Sequence, residues 1–84
     1  MIIKLLEILD IYNYIRIRVE LTDDLYMVYY YSNNKRLLKI TIINGGVLLS
    51  VDDSLNVFYS MVGLTELLNM YERKDKINSI LNSL

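Results

Sequence analysis

The groups that could do chemistry in this chain are limited, because its 84 residues include no His and no Cys. His is the commonest general base and a common metal ligand, and a Cys thiolate is both a nucleophile and a ligand. Two acidic pairs remain, Asp23-Asp24 and Asp52-Asp53. We expect them in turns at opposite ends of an antiparallel meander, so we interpret them as turn residues and predict no metal site.

The hydroxyl and glycine groups also lack the neighbours that catalysis or phosphate binding requires. The serines have no histidine to activate them. Gly45-Gly46 follows an Asn between two apolar runs, which is typical of a hairpin and not of a phosphate loop that opens a helix. We therefore predict a protein that is not an enzyme, with no catalytic residues and no cofactor.

Aromatic and cationic side chains form the most informative constellation. Five of them are predicted to share one sheet face and to bind a partner: Arg16, Arg18, Tyr26, Tyr30 and Lys39. Tyr and Arg are enriched at the centres of protein interfaces, and aromatics with cations on a sheet also bind single-stranded nucleic acid. An ordinary solvated face is the third interpretation. The net charge of -1 and the nearby Glu20 favour protein over nucleic acid.

The strand that carries the two arginines is predicted at residues 14–21. Its residues alternate, with Ile15, Ile17, Val19 and Leu21 toward the core and Tyr14, Arg16, Arg18 and Glu20 away from it. A three-residue loop, residues 22–24, would pair Val19 with Met27 and keep the apolar side continuous. Ile17, Met27 and Ile40 are therefore expected in the core, next to Leu5, Leu9, Leu67 and Leu68.

Residues 25–43 read as a hairpin with Asn33-Asn34 as a two-residue turn. That turn would place Tyr29 opposite Leu38 on the apolar face and Tyr30 opposite Leu37 on the mixed face. Asn44-Gly45 predicts the next primed turn and pairs Ile40 with Leu49. At the far end of this hairpin Arg36 is expected near Asp53.

The segment 55–62 is ambiguous. It fits a strand that continues the apolar face, and it also fits a helix capped by Ser54. Its Val, Phe and Tyr favour the strand. Gly63 then predicts a break before the C-terminal helix.

Helices are predicted at 2–12 and 65–83. The apolar face of the first consists of Ile2, Leu5, Leu6, Leu9 and Tyr12, and Asn13 is a plausible stop. Thr65 is the candidate N-cap of the second. One of its stripes, Leu64, Leu67, Leu68 and Tyr71, can face the sheet. The other lies about 120° around the axis and requires either a kink near residues 73–76 or another chain: Met70, Ile77, Leu81 and Leu84.

Composition sets the remaining limits. The length predicts one domain, residues 1–84. A hydrophobic fraction of 54% exceeds what a small domain readily buries, so we expect a homo-oligomer, such as a homodimer, or a partner that covers the excess. No apolar run reaches the roughly 20 residues of a membrane span, and the first segment carries charges that a signal peptide lacks. We expect a cytoplasmic protein without membrane contact.

The predicted fold is α+β, an antiparallel meander of four or five strands with the N- and C-terminal helices packed on one face. The amino-acid composition of the chain, rich in Ile, Asn, Tyr and Lys, resembles that of small orphan proteins of AT-rich viruses and mobile elements, particularly those of thermophilic archaea. The helix–meander–helix layout resembles small anti-defence inhibitors such as anti-CRISPR proteins. The resemblance implies a protein that covers a functional surface of a host protein. A purely structural homo-oligomer is the remaining alternative.

Overall fold

The computed structural model describes residues 2–83 and has an α+β fold, which confirms the predicted class. A five-stranded antiparallel sheet has the order β1-β2-β3-β4-β5, so each strand pairs with the next one along the chain. The elements are α1 (Ile2–Ile11), β1 (Ile15–Leu21), β2 (Met27–Ser32), β3 (Leu37–Ile43), β4 (Gly46–Val51), β5 (Val57–Tyr59) and α2 (Met61–Asn82).

The core lies between the two helices and one face of the sheet. Its centre is aliphatic, which follows from a chain whose apolar content is mainly Ile, Leu and Val. The buried cluster consists of Leu5, Leu9, Tyr14, Tyr31, Leu38, Ile40, Val47, Leu49, Leu64 and Leu68. Both helices therefore cover the same face, as the sequence predicts, and we call it the inner face.

The first helix ends at Ile11 and follows its predicted pattern except at Leu6. Leu5 and Leu9 are buried and Tyr12 is half-buried, whereas Leu6 is exposed. The side chain of Ile2 lies outside the described part of the chain. Asn13 adopts φ 66°, the left-handed conformation that commonly terminates helices and that Asn tolerates well. The Tyr14 N–H then donates to the Leu9 carbonyl at 2.8 Å.

The turn between β3 and β4 sets the predicted pairing. Ile40 pairs with Leu49, and Ile42 pairs with Val47, as Asn44-Gly45 implies. Gly45 has a positive φ (83°) and Asn44 does not, so the turn is not the primed turn that the sequence predicts, since both primed types need a positive φ at the first turn residue. The pairing is confirmed although the turn type is wrong.

The β2–β3 hairpin differs from its prediction by two residues. Tyr29 pairs with Ile40 and Tyr30 pairs with Lys39, because the loop comprises four residues, 33–36. The Asn33 side-chain oxygen accepts from the N–H groups of Lys35 and Arg36, at 2.8 and 3.0 Å, and so stabilises the longer loop. A shift of two leaves each side chain on its predicted face.

β1 departs from its prediction, because a bulge interrupts its alternation. The pairing shifts between Arg16 and Arg18, and Ile17 has no partner on β2. Residues before the bulge change face, so Arg16 pairs with Tyr31 on the inner face. The prediction of a buried Ile17 is wrong, since it is 60% exposed.

Other predictions for β1 and its neighbours change with the bulge. Tyr14, expected on the open face, is buried in the core. Ile15 is exposed and pairs with Ser32. The loop to β2 spans residues 22–26, so Val19 pairs with Tyr29 and not with Met27. Met27 is also exposed, whereas Ile40, Leu5, Leu9 and Leu68 are buried as predicted and Leu67 is half-buried.

The segment 55–62 contains both a strand and the start of a helix. Val57–Tyr59 pairs with β4, as the favoured interpretation predicts, and α2 begins at Met61. Ser60 is its N-cap and accepts a hydrogen bond from the Gly63 N–H, so Thr65 is not the cap and Gly63 is not a break. Leu64 and Leu68 face the core, and the helix continues without interruption through 73–76.

Arg36 pairs with Asp75 of α2 and not with Asp53. Its Nη1 and Nη2 atoms lie 2.9 and 3.0 Å from the two carboxylate oxygens, and the guanidinium lies 4.2 Å from the centroid of the Tyr71 ring. The side chains are only 13% and 16% exposed. Hydrogen bonds from Arg36 hold the pKa of Asp75 below its ordinary value. This pair attaches the β2–β3 loop to the middle of α2.

We expect Arg36→Met to lower the free energy of unfolding at pH 7 by roughly 1–3 kcal/mol, less than for a fully buried pair because both groups retain some solvent. The pKa of the Asp75 carboxyl is about 4 in the unfolded chain and lower in the folded one, so the ion pair stabilises the fold fully above about pH 4. This stabilisation is lost as the pH falls through the lower pKa of the folded state. Urea titrations at several pH values should show this acid-dependent loss in the wild type and a smaller one in the variant. Arg73→Met, at an exposed position, is the control. Equal stability of the two variants would contradict the assignment.

Candidate protein-binding face of the sheet

The sheet face opposite the two described helices is only partly exposed, because Val28, Thr41 and Ser50 on it are buried. We call it the outer face, and it carries these side chains: Arg18, Glu20, Val28, Tyr30, Lys39, Thr41, Leu48, Ser50 and Phe58. Alternation places them together, since on β2, β3 and β4 their neighbours along the strand lie on the inner face.

Strand pairing arranges these side chains in two parallel rows. The first row runs across four strands as Arg18, Tyr30, Lys39 and Ser50. The second runs across all five strands as Glu20, Val28, Thr41, Leu48 and Phe58. A cationic and aromatic row therefore lies beside a mainly apolar row. Val28 and Thr41 in the second row are buried, so the apolar area open to a partner comes from Leu48 and Phe58. The first row supplies the directional donors.

Arg18 is held in place by its neighbours. Its guanidinium carbon lies 4.3 Å from the centroid of the Tyr30 ring, and Nη2 lies 2.6 Å from a carboxylate oxygen of Glu20. Tyr30 raises the pKa of Arg18 above its ordinary value by hydrogen bonding, and the charge of Glu20 adds to this effect. The arginine is therefore cationic, oriented and exposed on the surface.

The five predicted binding residues do not all meet on this face. Arg18, Tyr30 and Lys39 do, as consecutive members of one row. Tyr26 is exposed in the loop between β1 and β2. Arg16 lies on the opposite face because of the bulge, beside an apolar cavity of about 170 Å³ between α1 and the sheet.

Three outer-face residues were missed by sequence reasoning: Leu48, Ser50 and Phe58. Phe58 is 54% exposed at the end of the apolar row. Its ring lies against Gly46, where a β-carbon would stand 2.9 Å from a ring atom. The pairing from Asn44-Gly45 could have placed Leu48 on this face. The predicted strand at 55–62 could have placed Phe58 there as well, because its neighbours Val57 and Tyr59 were assigned to the apolar face.

The predicted oligomer stripe of α2 is uncovered along its described length. Met70, Ile77 and Leu81 are 46%, 58% and 61% exposed, and Leu84 lies outside the described residues. Residues 76–83 are all exposed, and the apolar Ile80 adds to this surface.

Other sites in residues 2–83 are less developed. An open polar cavity of about 240 Å³ lies beside Asn13, Asn33 and Asp75, between the β2–β3 loop and α2. Within the described part of the chain, no group of three or more acidic side chains is arranged to hold a metal ion. None of the described helices is long and apolar enough to cross a membrane.

Comparison with known proteins adds no relative. No family model matches the chain, and searches of curated proteins and of solved structures find no match.

Proposed function

We propose that this chain is a non-enzymatic protein-binding module that contacts its partner through the outer face. The observation that carries the proposal is the ordered row of Arg18, Tyr30 and Lys39 beside the apolar row that ends at Phe58. Interface centres are enriched in Tyr and Arg and rely on apolar contact around them.

The rigidity of the sheet supports this proposal. Tyr30 and Lys39 lie on β2 and β3, which have a paired strand on both sides. Arg18 lies on an edge strand, but its contacts with Tyr30 and Glu20 orient it before any partner arrives. A surface that is already ordered loses less side-chain freedom on binding, so more of its contact energy contributes to affinity.

The proposed partner is a protein. Glu20 lies in the apolar row directly beside the Arg18 row, and the net charge of the chain is -1, which both weaken a phosphate-binding surface. In the form that the viral resemblance implies, the partner is a host protein in the host cytoplasm, and the module inhibits it by covering a functional surface. The aromatic and cationic row is also the basis of the nucleic-acid alternative.

The class of partner can be tested by affinity capture. Immobilised wild-type chain is incubated with lysate of cells that carry the gene, with and without nuclease, and eluted across a salt series. We expect one protein to be captured in a stoichiometric amount. Its capture should persist after nuclease treatment and depend only weakly on salt. Capture that disappears with nuclease and falls steeply with salt would contradict the proposal and indicate nucleic acid.

We also propose that the α2 stripe contacts a second copy of this chain. Leu81→Asp should lower the mass measured by light scattering at micromolar concentration while the thermal midpoint stays unchanged, because Leu81 is exposed in the single chain. An unchanged mass would contradict this role of the stripe.

A further inference from the structure

β1 is an edge strand. One of its two edges pairs with β2, and the other pairs with no strand of the described chain. β1 is seven residues long, whereas the other edge strand, β5, is three. All seven residues are exposed, and four of them are aliphatic: Ile15, Ile17, Val19 and Leu21. Proteins usually protect edge strands by making them short, charged, bulged or covered, because free backbone groups template further pairing. β1 has three charged residues and a bulge at Ile17, so regular pairing is open only to the residues after the bulge.

The backbone groups that β1 offers can be identified. The Thr22 N–H donates to the Tyr26 carbonyl at 2.9 Å, and the Tyr26 N–H donates to the Thr22 hydroxyl Oγ1 at 3.0 Å, so the Thr22 backbone is directed toward the β2 side next to β1. Hydrogen-bonded pairs alternate along an antiparallel ladder, so Glu20 and Arg18 bond to β2. The N–H and C=O groups of Val19 and Leu21 consequently point away from the sheet.

We infer that the partner of this edge is a second copy of the chain, joined through antiparallel β1–β1 pairing centred on Val19. In this pairing Val19 faces Val19 of the other copy, and the new ladder ends at the bulge, where Ile17 does not follow the alternation. The two-fold symmetry makes the contact self-complementary. The inference is independent of what the outer face binds.

The charged residues favour this register of the β1–β1 pair over the registers shifted to either side of it. With Val19 at the centre, Arg18 of each copy faces Glu20 of the other, which gives two opposite-charge pairs on the outer face. The nearest alternatives with the same backbone orientation would place Arg18 against Arg18 or Glu20 against Glu20. Like charges directly opposite each other destabilise a sheet, and opposite charges stabilise it.

The consequence is a continuous ten-stranded sheet. A two-fold axis perpendicular to the sheet keeps both outer faces on the same side. The two rows of Arg18, Tyr30 and Lys39 would then belong to one extended surface. The exposed Val19 side chains of the two copies would contact each other.

The test measures mass by light scattering in the Leu81→Asp background, which removes any contribution of the α2 stripe. We expect this protein to have about twice the 9.9 kDa chain mass. Adding Val19→Pro removes one outward N–H while leaving the bonds to β2, so the mass should halve with circular dichroism unchanged.

A charge exchange keeps the test decisive even where the proline variant does not fold. In the same background, Arg18→Glu should give a monomer, and Arg18→Glu with Glu20→Arg should restore the dimer, because each altered residue again faces its opposite charge. Lys74→Glu, the same charge change on exposed α2, should leave the dimer intact. A monomer before any β1 change, a dimer that persists in Arg18→Glu, or failure of the exchange to restore the dimer would each overturn the inference.

Discussion

Ile40→Ala is expected to lower the free energy of unfolding by about 2–5 kcal/mol, the range for large-to-small changes in a packed core. Ile40 is 2% exposed, lies on the middle strand and belongs to the cluster that joins both helices to the sheet. The total stability of a small domain is about 5–15 kcal/mol, so one such change removes a large part of it. Urea unfolding followed by circular dichroism measures the loss.

The matched control is Ile17→Ala, which deletes the same atoms from a residue that is 60% exposed at the bulge. We expect this variant to lose no more than about 0.5 kcal/mol, as surface substitutions usually do. The pair of variants also tests the bulge, because an uninterrupted strand would bury Ile17. Similar losses in the two variants would contradict the described pairing of β1.

Gly46→Ala is expected to cost about 1–3 kcal/mol and to loosen β5 from β4. A β-carbon at this position would lie 2.4 Å from the Tyr59 carbonyl oxygen and 2.9 Å from the Phe58 ring. The carbonyl belongs to the backbone of β5, so it can move away only if the strand moves. Phe58 would move with it, and the apolar row of the outer face would lose its end.

Gly45→Ala provides the comparison for that prediction. No atom lies within 4 Å of a β-carbon at Gly45, so the cost there comes from its φ of 83° alone. Amide exchange distinguishes the two mechanisms. The Gly46 variant should lose protection in β5, and the Gly45 variant should keep it. Unchanged protection of β5 in the Gly46 variant would contradict the close packing of these two strands.

The face of the sheet on which most side chains of β2, β3 and β4 lie was predictable from the sequence. A register error of two residues leaves each side chain on the same face, because side chains alternate with a period of two. Tyr30 and Lys39 reached the outer face although the β2–β3 loop is four residues long and not two. The pairing of Ile40 with Leu49 was also predictable, since Asn44-Gly45 fixes the turn position. Local signals of this kind are contained in a few adjacent residues.

The bulge in β1 was not predictable from its alternation. Residues 14–21 alternate without a break, yet one residue is left unpaired and Arg16 changes face. Burial of Tyr14 in the core competes with burial of Ile15 and Ile17, and the tyrosine prevails. Such competition depends on the space beneath the helices, which no short segment encodes.

Contacts between distant segments were missed for the same reason. Asp75 lies 39 residues from Arg36, and both Asp53 and Asp75 are acceptable partners by charge. The start of α2 was misplaced because Ser60 and Thr65 are both suitable caps. The β4–β5 pairing ends at Tyr59, directly before Ser60, and so decides between them.

Protein binding by the outer face is tested by comparing partner capture by variants of that face with capture by a matched control. Tyr30→Ala and Lys39→Glu alter the middle of the row, whereas Lys74→Glu makes the same charge change on α2. All variants should keep thermal midpoints near that of the wild type. We expect each face variant to bind the partner at least tenfold more weakly, which corresponds to about 1.4 kcal/mol. The control should bind with wild-type affinity. Wild-type affinity in both face variants would contradict protein binding by the outer face.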